Sequence, residues 1–273
     1  MPPAPHSRFA ATVQALRAAG CVFAEDEARL LLDAAGDGTE LAGLVARRAA
    51  GEPLEVLLGW VEFRGLRVAV DAGVFVPRQR SAFLVEQALA RTRAGSVVLD
   101  LCCGTGALGL AMAAVLPGLE LHAVDLEPAA VRCGARNLAP VGGRVYAGDL
   151  YQPLPPALRG RLTVIVANAP YVPTAAIALM PPEAREHEPR LALDGGPDGV
   201  AVHRRVAAGA PAWLAPGGSL LIETGRRQAD RTAVAVAEAG LAPRIVSDDG
   251  ASCTVVVGTL PDTGPRPGGE SAP

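Results

Sequence analysis

The sequence predicts an α/β fold built on a mostly parallel sheet, with a small helical unit in front of it. From Val97 onward, short apolar runs alternate with longer segments that have helical spacing. Strands that are apolar throughout are typical of a parallel sheet covered by helices on both faces. The chain has 273 residues, half of them hydrophobic, which is enough for one sizeable α/β domain and a small appendage.

Residues 7–50 predict three short helices. Ser7 can cap the first helix, which Gly20 ends. The second covers Ala24–Ala35, and Thr39 caps the third. Helices of this length are not stable alone, so we expect them to pack together or on the main domain.

A β-hairpin is predicted next. Apolar residues alternate with charged or small ones over Val56–Val76, on both sides of a turn at Arg64-Gly65. Alternation with a period of two is typical of strands. A helix over Phe83–Arg93 then leads into the sheet.

The main domain is predicted to hold seven strands with helices between them. The strands are expected at Val97–Leu101, Glu120–Asp125, Arg144–Ala147, Val164–Ala167, Ser219–Glu223, Arg244–Ser247 and Cys253–Leu260. The helices are expected at Ala107–Leu116, Pro128–Leu138, Ala201–Leu214 and Gln228–Ala239, with a turn at Pro216-Gly217-Gly218. The predicted division is a helical domain over 1–55, a hairpin linker over 56–76, the main domain over 77–260 and a disordered tail over 261–273.

Composition excludes several classes of function. All 25 basic residues are Arg, so lysine chemistry is excluded, and with 28 acidic residues the net charge is −3. The basic residues are scattered, which argues against a nucleic-acid partner. Five cysteines without a CxxC pair, and without His at zinc spacing, favour a reducing cytoplasm with no disulfides and no metal site. We expect no signal peptide and no membrane segment, because no long apolar run exists.

A ligand site is predicted where the first strand of the sheet ends. Asp100 lies in that strand, and Cys102, Gly104 and Gly106 form a tight turn into the next helix. Glycines allow a ligand to approach the backbone, and a helix N-terminus offers free N–H groups. An ordinary βα turn remains the alternative, because only a Gly-x-Gly is present.

Two further acids follow the next two strands. Asp125 ends the second strand about twenty residues on, where a carboxylate can accept from both ribose hydroxyls. Asp149, followed by Leu150, could accept from an adenine amino group. Either acid could instead be a cap. Together the three strand ends predict a nucleoside site, and the missing pyrophosphate signature favours S-adenosylmethionine over NAD.

The fourth strand is followed by Asn168-Ala169-Pro170-Tyr171. This tetrapeptide resembles the Asn-Pro-Pro-Tyr of methyltransferases that act on planar amino nitrogens, among them the glutamine N5-methyltransferases of peptide chain release factors (the HemK/PrmC family). The run Glu188–Gly199 is similar to that family's most specific signature, and Gly148-Asp149-Leu150 also matches. The resemblance extends from about Gly51 to Gln228.

The resemblance implies a Rossmann-like, class I S-adenosylmethionine-dependent methyltransferase with a seven-stranded sheet. It implies a monomer that methylates glutamine in the Gly-Gly-Gln loop of a release factor. The implied catalytic residues are Asn168, Ala169, Pro170 and Tyr171, with Asn168 also at the cofactor; the implied substrate-binding residues are Asn168, Pro170, Tyr171, Arg78 and Glu188.

Three departures from the family's pattern are visible. Ala169 replaces the first proline of the tetrapeptide, and Cys102 replaces the first glycine of the nucleoside loop. After Arg78, the family's Pro-Glu-Thr-Glu is replaced by Gln79-Arg80-Ser81-Ala82. These changes indicate a divergent branch.

The tetrapeptide suits a carboxamide substrate, whose nitrogen is a poor nucleophile because its lone pair is delocalised. Asn168 Oδ1 can accept one of its N–H groups. The resemblance assigns the other to the backbone carbonyl of Ala169, which Pro170 holds extended. The ring of Tyr171 can pack on the flat amide. Positioning and acceptors for developing charge are then the main catalytic contributions.

Three other functions stay open. A nucleic-acid amino methyltransferase would share the tetrapeptide but needs a basic face or an aromatic-rich recognition element, and only 4% of residues are aromatic. A small-molecule N-methyltransferase is compatible with the divergent segment 79–82. A binding protein without catalysis is disfavoured by the retained Asn168, Pro170 and Tyr171. We assign no role to Glu223, which ends the fifth strand.

Overall fold

The computed structural model describes residues 5–262. Four helices open this part of the chain: α1 (Pro5–Ala18), α2 (Ala24–Ala34), α3 (Gly38–Ala49) and α4 (Leu54–Leu58). They enclose a small core of their own, in which Leu16 and Leu31 are fully buried. The three predicted helices are confirmed, and mutual packing provides the stability that each lacks alone.

Both predicted helix caps are wrong. Ser7 lies inside α1, which begins at Pro5. The cap of α3 is Asp37 rather than Thr39, because Asp37 Oδ1 accepts the backbone N–H groups of Thr39 and Glu40 at 2.8 and 2.9 Å. A carboxylate placed two residues earlier reaches two of the four free N–H groups of the first turn.

The hairpin is confirmed over a shorter range than predicted. It consists of β1 (Trp60–Phe63) and β2 (Leu66–Ala69), paired antiparallel around Arg64-Gly65. Both turn residues have positive φ, the backbone of a two-residue hairpin turn that matches strand twist. Val56 belongs to α4 instead of the hairpin, since five residues are too few to show helical spacing in the sequence.

The predicted seven-stranded, mostly parallel sheet is confirmed, in the order β5-β4-β3-β6-β7-β9-β8. Its strands are β3 (Val97–Leu101), β4 (Glu120–Asp125), β5 (Arg144–Ala147), β6 (Leu162–Ala167), β7 (Leu214–Thr224), β8 (Ala242–Asp248) and β9 (Cys253–Thr259). Strands β3 to β7 pair in parallel, and β9 is antiparallel to both of its neighbours. The carboxyl ends of β3, β4, β5 and β6 therefore lie at one edge of the sheet.

Helices cover both faces of the sheet. The helices of the main domain are α5 (Ala82–Leu89), α6 (Ala107–Val115), α7 (Pro128–Leu138), α8 (Pro182–His187), α9 (Arg190–Leu193), α10 (Ala201–Gly209) and α11 (Ala229–Glu238). Val98 and Val166 point into one core with α5, α6 and α7. Leu99, Leu101 and Ile165 point into the other with α10 and α11. Burial on both faces explains why these strands are apolar throughout.

Several predicted boundaries need correction. Helix α5 ends at Leu89 instead of Arg93, and α10 ends at Gly209, followed by a 3₁₀ turn rather than by helix up to Leu214. The predicted turn at Pro216-Gly217-Gly218 lies within the bounds of β7, at a shift of its register against β6. The 3₁₀ helix Thr174–Leu179 and helices α8 and α9 are additional to the prediction.

Two other expectations concern the ends of the chain and the membrane. Of the predicted tail, residues 263–273 lie outside the described residues. Within residues 5–262, no helix is both long enough and apolar enough to cross a membrane.

Candidate active site

The Gly-rich turn after β3 has a left-handed backbone at three residues, one of which is Cys102, where the family's pattern has glycine. Cys102 has φ +58, in the left-handed region that side chains rarely adopt, and Gly104 and Gly106 also have positive φ. Gly106 is the residue before α6, where a Cβ would approach Leu138 to 3.0 Å. The backbone dihedral angles therefore give the turn its shape, and position 102 accommodates cysteine although glycine would adopt this φ with less strain.

Asp125 connects this turn to β4. Its Oδ2 accepts the N–H of Gly104 at 2.8 Å, and its Oδ1 accepts the N–H of Glu127 at 3.0 Å. Burial raises the pKa of Asp125, and the two backbone donors oppose that rise. The alternative interpretation of Asp125 as a helix cap is wrong, because the N-cap of α7 is Glu127 and no side chain caps this helix. Asp125 instead holds the loop between β4 and α7 and lines a cavity at the edge of the sheet.

This first cavity collects most of the predicted cofactor residues. Cys102, Gly104, Asp125, Asp149, Leu150, Asn168 and Pro170 all line it. Asp149 Oδ2 accepts a hydrogen bond from Arg205 Nη2 at 2.5 Å, and Arg205 lines the same cavity. The sequence did not predict Arg205, because it lies in α10 and is far in sequence from the strand ends that mark the site.

Asp100 and Gly106 do not line the first cavity. Asp100 is 0% exposed and supports the turn from below, where its Oδ2 accepts the N–H of Gly109 at 2.9 Å. No described residue pairs with its Oδ1. Burial raises the pKa of Asp100 to about 7. Asp100 and Gly106 therefore stabilise the turn and do not form part of the cavity wall.

The tetrapeptide after β6 lies between the first cavity and a second one. Arg78, Asn168, Ala169, Tyr171 and Glu188 line the second cavity. Asn168 lines both cavities, so it stands where they meet. Its Nδ2 donates to Ser81 Oγ at 3.3 Å, an orientation that leaves Oδ1 available as an acceptor.

The Gly-rich run after α9 packs directly on the backbone of the tetrapeptide. A Cβ on Gly195 would lie 2.7 Å from Tyr171 Cα, and one on Gly199 would lie 2.5 Å from the Tyr171 carbonyl oxygen. Both distances are far shorter than real contacts, so only glycine allows this approach. Asp194 and Asp198 are turn residues here, and they accept the N–H groups of Gly196 and Val200.

Arg78 and Glu188 are 110 positions apart in sequence and form an ion pair. The Glu188 side chain is 2% exposed. Burial raises the pKa of Glu188, and the Arg78 guanidinium opposes the rise. The structure thus brings together two residues that the resemblance alone had linked to the substrate.

Tyr171 has two neighbours that the sequence analysis left without a role, Arg80 and Glu223. Arg80 Nη2 donates to the Tyr171 hydroxyl at 2.8 Å, and Arg80 Nε lies 3.4 Å from Glu223 Oε1. Glu223, to which the sequence assigned no role, therefore contacts the tetrapeptide through the Tyr171 hydroxyl. Its one signal in the sequence was a carboxylate inside an otherwise apolar strand.

Among residues 5–262 no group of three or more His, Cys, Asp or Glu side chains is arranged to hold a metal ion. The polar side chains that line the two cavities are carboxylates, guanidiniums, one carboxamide, one phenol, two hydroxyls (Ser81 and Thr105) and two thiols (Cys102 and Cys103). Such a set can hold a polar nucleoside on one side and orient a planar polar group on the other.

Comparisons with known proteins agree with this geometry. Residues 65–180 match the model of the family described as "Methyltransferase small domain". A release factor glutamine methyltransferase of Mycolicibacterium smegmatis is 39% identical over 220 residues, which cover 79% of this chain and 78% of the relative. The one of Geobacter sulfurreducens is 43% identical over 190 residues, covering 69% of this chain and 66% of the relative. A crystal structure of a methyltransferase from Pyrococcus furiosus has the same fold, with a TM-score of 0.55 at 16% identity, over 72% of this chain and 90% of that one.

Proposed function

We propose a function from the premise that this chain belongs to the release factor glutamine methyltransferase family, as its 39% identity over 78% of one member shows. The relatives are release factor glutamine methyltransferases, and the chain is accordingly a methyltransferase that uses S-adenosylmethionine. We infer that its substrate is the glutamine of the Gly-Gly-Gln loop of a peptide chain release factor.

One observation carries the proposal: Asn168 lines both cavities. A residue in that place can touch a methyl donor on one side and a methyl acceptor on the other. Methyl transfer needs this arrangement, because donor and acceptor must approach along one line.

The first cavity fits the nucleoside of S-adenosylmethionine. Asp125 has both carboxylate oxygens anchored by backbone donors, and each oxygen keeps a further lone pair for a ribose hydroxyl. Asp149 has Oδ1 available for an adenine amino group while Arg205 holds Oδ2. When bound there, S-adenosylmethionine supplies a methyl group on a positively charged sulfur.

The tetrapeptide would orient the carboxamide in the second cavity. Asn168 Oδ1 and the Ala169 carbonyl would accept its two N–H groups, and Tyr171 would pack on its plane. These acceptors stabilise the positive charge that grows on the nitrogen. No base is needed before attack, since the proton leaves to water once nitrogen has bonded to the methyl carbon and become cationic.

A transfer assay with methyl-labelled S-adenosylmethionine tests the proposal. Purified release factor, bare ribosomal RNA and a cell extract serve as acceptors, and the modified residue is then mapped. We expect label on the glutamine of Gly-Gly-Gln. The matched control is a release factor with glutamate in its place, which has no N–H to offer and should stay unlabelled. Label on that glutamate, or on an RNA base, would contradict the proposal.

A monomeric state, the absence of a nucleic-acid partner and a cytoplasmic location remain predictions beside it. Size-exclusion chromatography with light scattering measures the first. The RNA arm of the transfer assay measures the second.

A further inference from the structure

The segment 79–82, which differs from the family's pattern, brings the guanidinium of Arg80 to the tyrosine of the tetrapeptide. Arg80 lies in a 3₁₀ turn just before α5, while Tyr171 follows β6 and Glu223 lies near the end of β7. Arg80 Nη2 donates to the Tyr171 hydroxyl at 2.8 Å, and Arg80 Nε lies 3.4 Å from Glu223 Oε1. The Tyr171 hydroxyl lies 3.5 Å from the same carboxylate oxygen. The three side chains thus form a closed triangle.

Glu223 depends on Arg80 for compensation of its charge. Its side chain is 1% exposed, while that of Arg80 is 40% exposed. Among residues 5–262, no other basic side chain forms an ion pair with Glu223, and its Oε2 has no hydrogen-bond partner. Since a buried carboxylate without a cation is costly, Glu223 holds the guanidinium of Arg80 in place.

Tyr171 is held at both ends. At its backbone, Gly195 and Gly199 pack too closely for any other residue. At its hydroxyl, Arg80 donates and Glu223 accepts. Burial raises the pKa of Tyr171, and Glu223 adds to the rise while Arg80 opposes it. The phenol therefore stays neutral and can act as acceptor and donor in the triangle at once.

Resting on the proposed function, we propose that Arg80 and Glu223 are positioning residues that fix the ring of Tyr171 against the substrate amide. The triangle belongs to this chain's own branch, since a glutamate at position 80, as in the family's pattern, could not donate to the phenol.

A double-mutant cycle between Arg80 and Tyr171 tests this. Arg80→Met removes the charge and both donors, and Tyr171→Phe keeps the ring but removes the hydroxyl. We expect each single variant to lower kcat about tenfold, the effect of one hydrogen bond to a charged group. The double variant should lose about as much as the more damaging single variant, because both changes break the contact between Arg80 and the Tyr171 hydroxyl. KM for the release factor and the affinity for S-adenosylmethionine should stay unchanged.

Two further variants separate positioning from a general structural effect. Arg80→Lys keeps a charged donor and should recover part of the lost kcat. Arg226→Met is the matched control, because Arg226 lines a third cavity together with Arg80, Tyr171 and Glu223 but pairs with the exposed Asp249. It should keep wild-type kcat. Additive losses in the cycle, or a loss confined to KM, would overturn the proposal.

A second measurement needs no methyl acceptor. The chain has three tyrosines, so NMR of protein labelled at tyrosine Cζ gives three signals, and Tyr171→Phe identifies one of them. Arg80→Met and Glu223→Gln should each move the Tyr171 signal, whereas Arg226→Met should not. An unmoved signal refutes the triangle even if the wild-type enzyme methylates the release factor. Failure of the wild-type enzyme to do so refutes only the proposed function.

Discussion

The two cavities that meet at Asn168 differ in how their polar side chains are held. In the first, backbone N–H groups hold Asp125, as in the bond from Gly104 N across 21 positions, and one ion pair, Arg205 with Asp149, spans 56 positions. In the second, Arg78 pairs with Glu188 across 110 positions, and Arg80 pairs across 143 positions with Glu223, which lies outside the cavity wall. The first cavity should therefore depend less on pairs of side chains than the second.

The largest expected effect comes from Asn168, which has the one polar side chain among the three residues, Phe75, Asn168 and Ala192, that line both cavities. Asn168→Ala should reduce turnover by about a thousandfold, because the lost acceptor acts on the charge that develops during transfer. The affinity for S-adenosylmethionine, measured by calorimetry, should hardly change. A large loss of that affinity would mean that Asn168 belongs to the first cavity alone.

Asp100, which lies beneath the first cavity, tests whether its protonation state contributes to the stability of the fold. The folded protein keeps a proton on Asp100 up to pH about 7, whereas the unfolded chain releases it near the ordinary value of 3.8. The folded state therefore binds more protons in this window, and stability must fall as pH rises through it. Relative to Asp100→Asn, the wild-type protein should lose on the order of a few kcal/mol across that range.

Chemical denaturation of both proteins at several pH values measures this difference. The free energy of unfolding of the wild-type protein, relative to that of the variant, should be highest at the acidic end of the window. A constant difference at every pH would mean that Asp100 carries its charge in the folded state.

Asp125 tests the side chain of the first cavity that is proposed to hold the ribose. Asp125→Ala should weaken S-adenosylmethionine binding by about 1–3 kcal/mol, since the hydroxyls of a bound ribose would lose their acceptor. Isothermal titration calorimetry gives the value directly. Unchanged affinity would place the ribose elsewhere.

The smallest effect is expected at Cys102, where the backbone and not the side chain forms the turn. Cys102→Gly relieves a positive φ of 58° but adds freedom to the unfolded chain, so stability should change by less than about 1 kcal/mol. Binding of S-adenosylmethionine should change by less than about 0.5 kcal/mol, or roughly twofold. Thermal unfolding and calorimetry check both values. A large loss of affinity would show that the first cavity also depends on the Cys102 side chain.

Much of the first cavity was predictable from the sequence because its determinants are local. The order of strands and the position of Asp125 at a strand end follow from hydrophobic patterning, and parallel strands bring their carboxyl ends to one edge. The same patterning predicted the bounds of β3, β4, β5 and α7 as the structure has them. Caps and short helices such as α4 were missed, since a few residues carry too little periodicity.

The sequence by itself determined the fold class, the place of the Gly-rich turn after β3 and the tetrapeptide that follows β6. Only the tertiary structure decided that Arg80 and Glu223 meet at Tyr171, that Arg205 holds Asp149, and that Asp100 lies beneath the cavity instead of lining it. The physical reason is range. Periodicity records which face of an element is buried, but a polar contact across more than fifty positions depends on how whole elements pack, which no local pattern encodes.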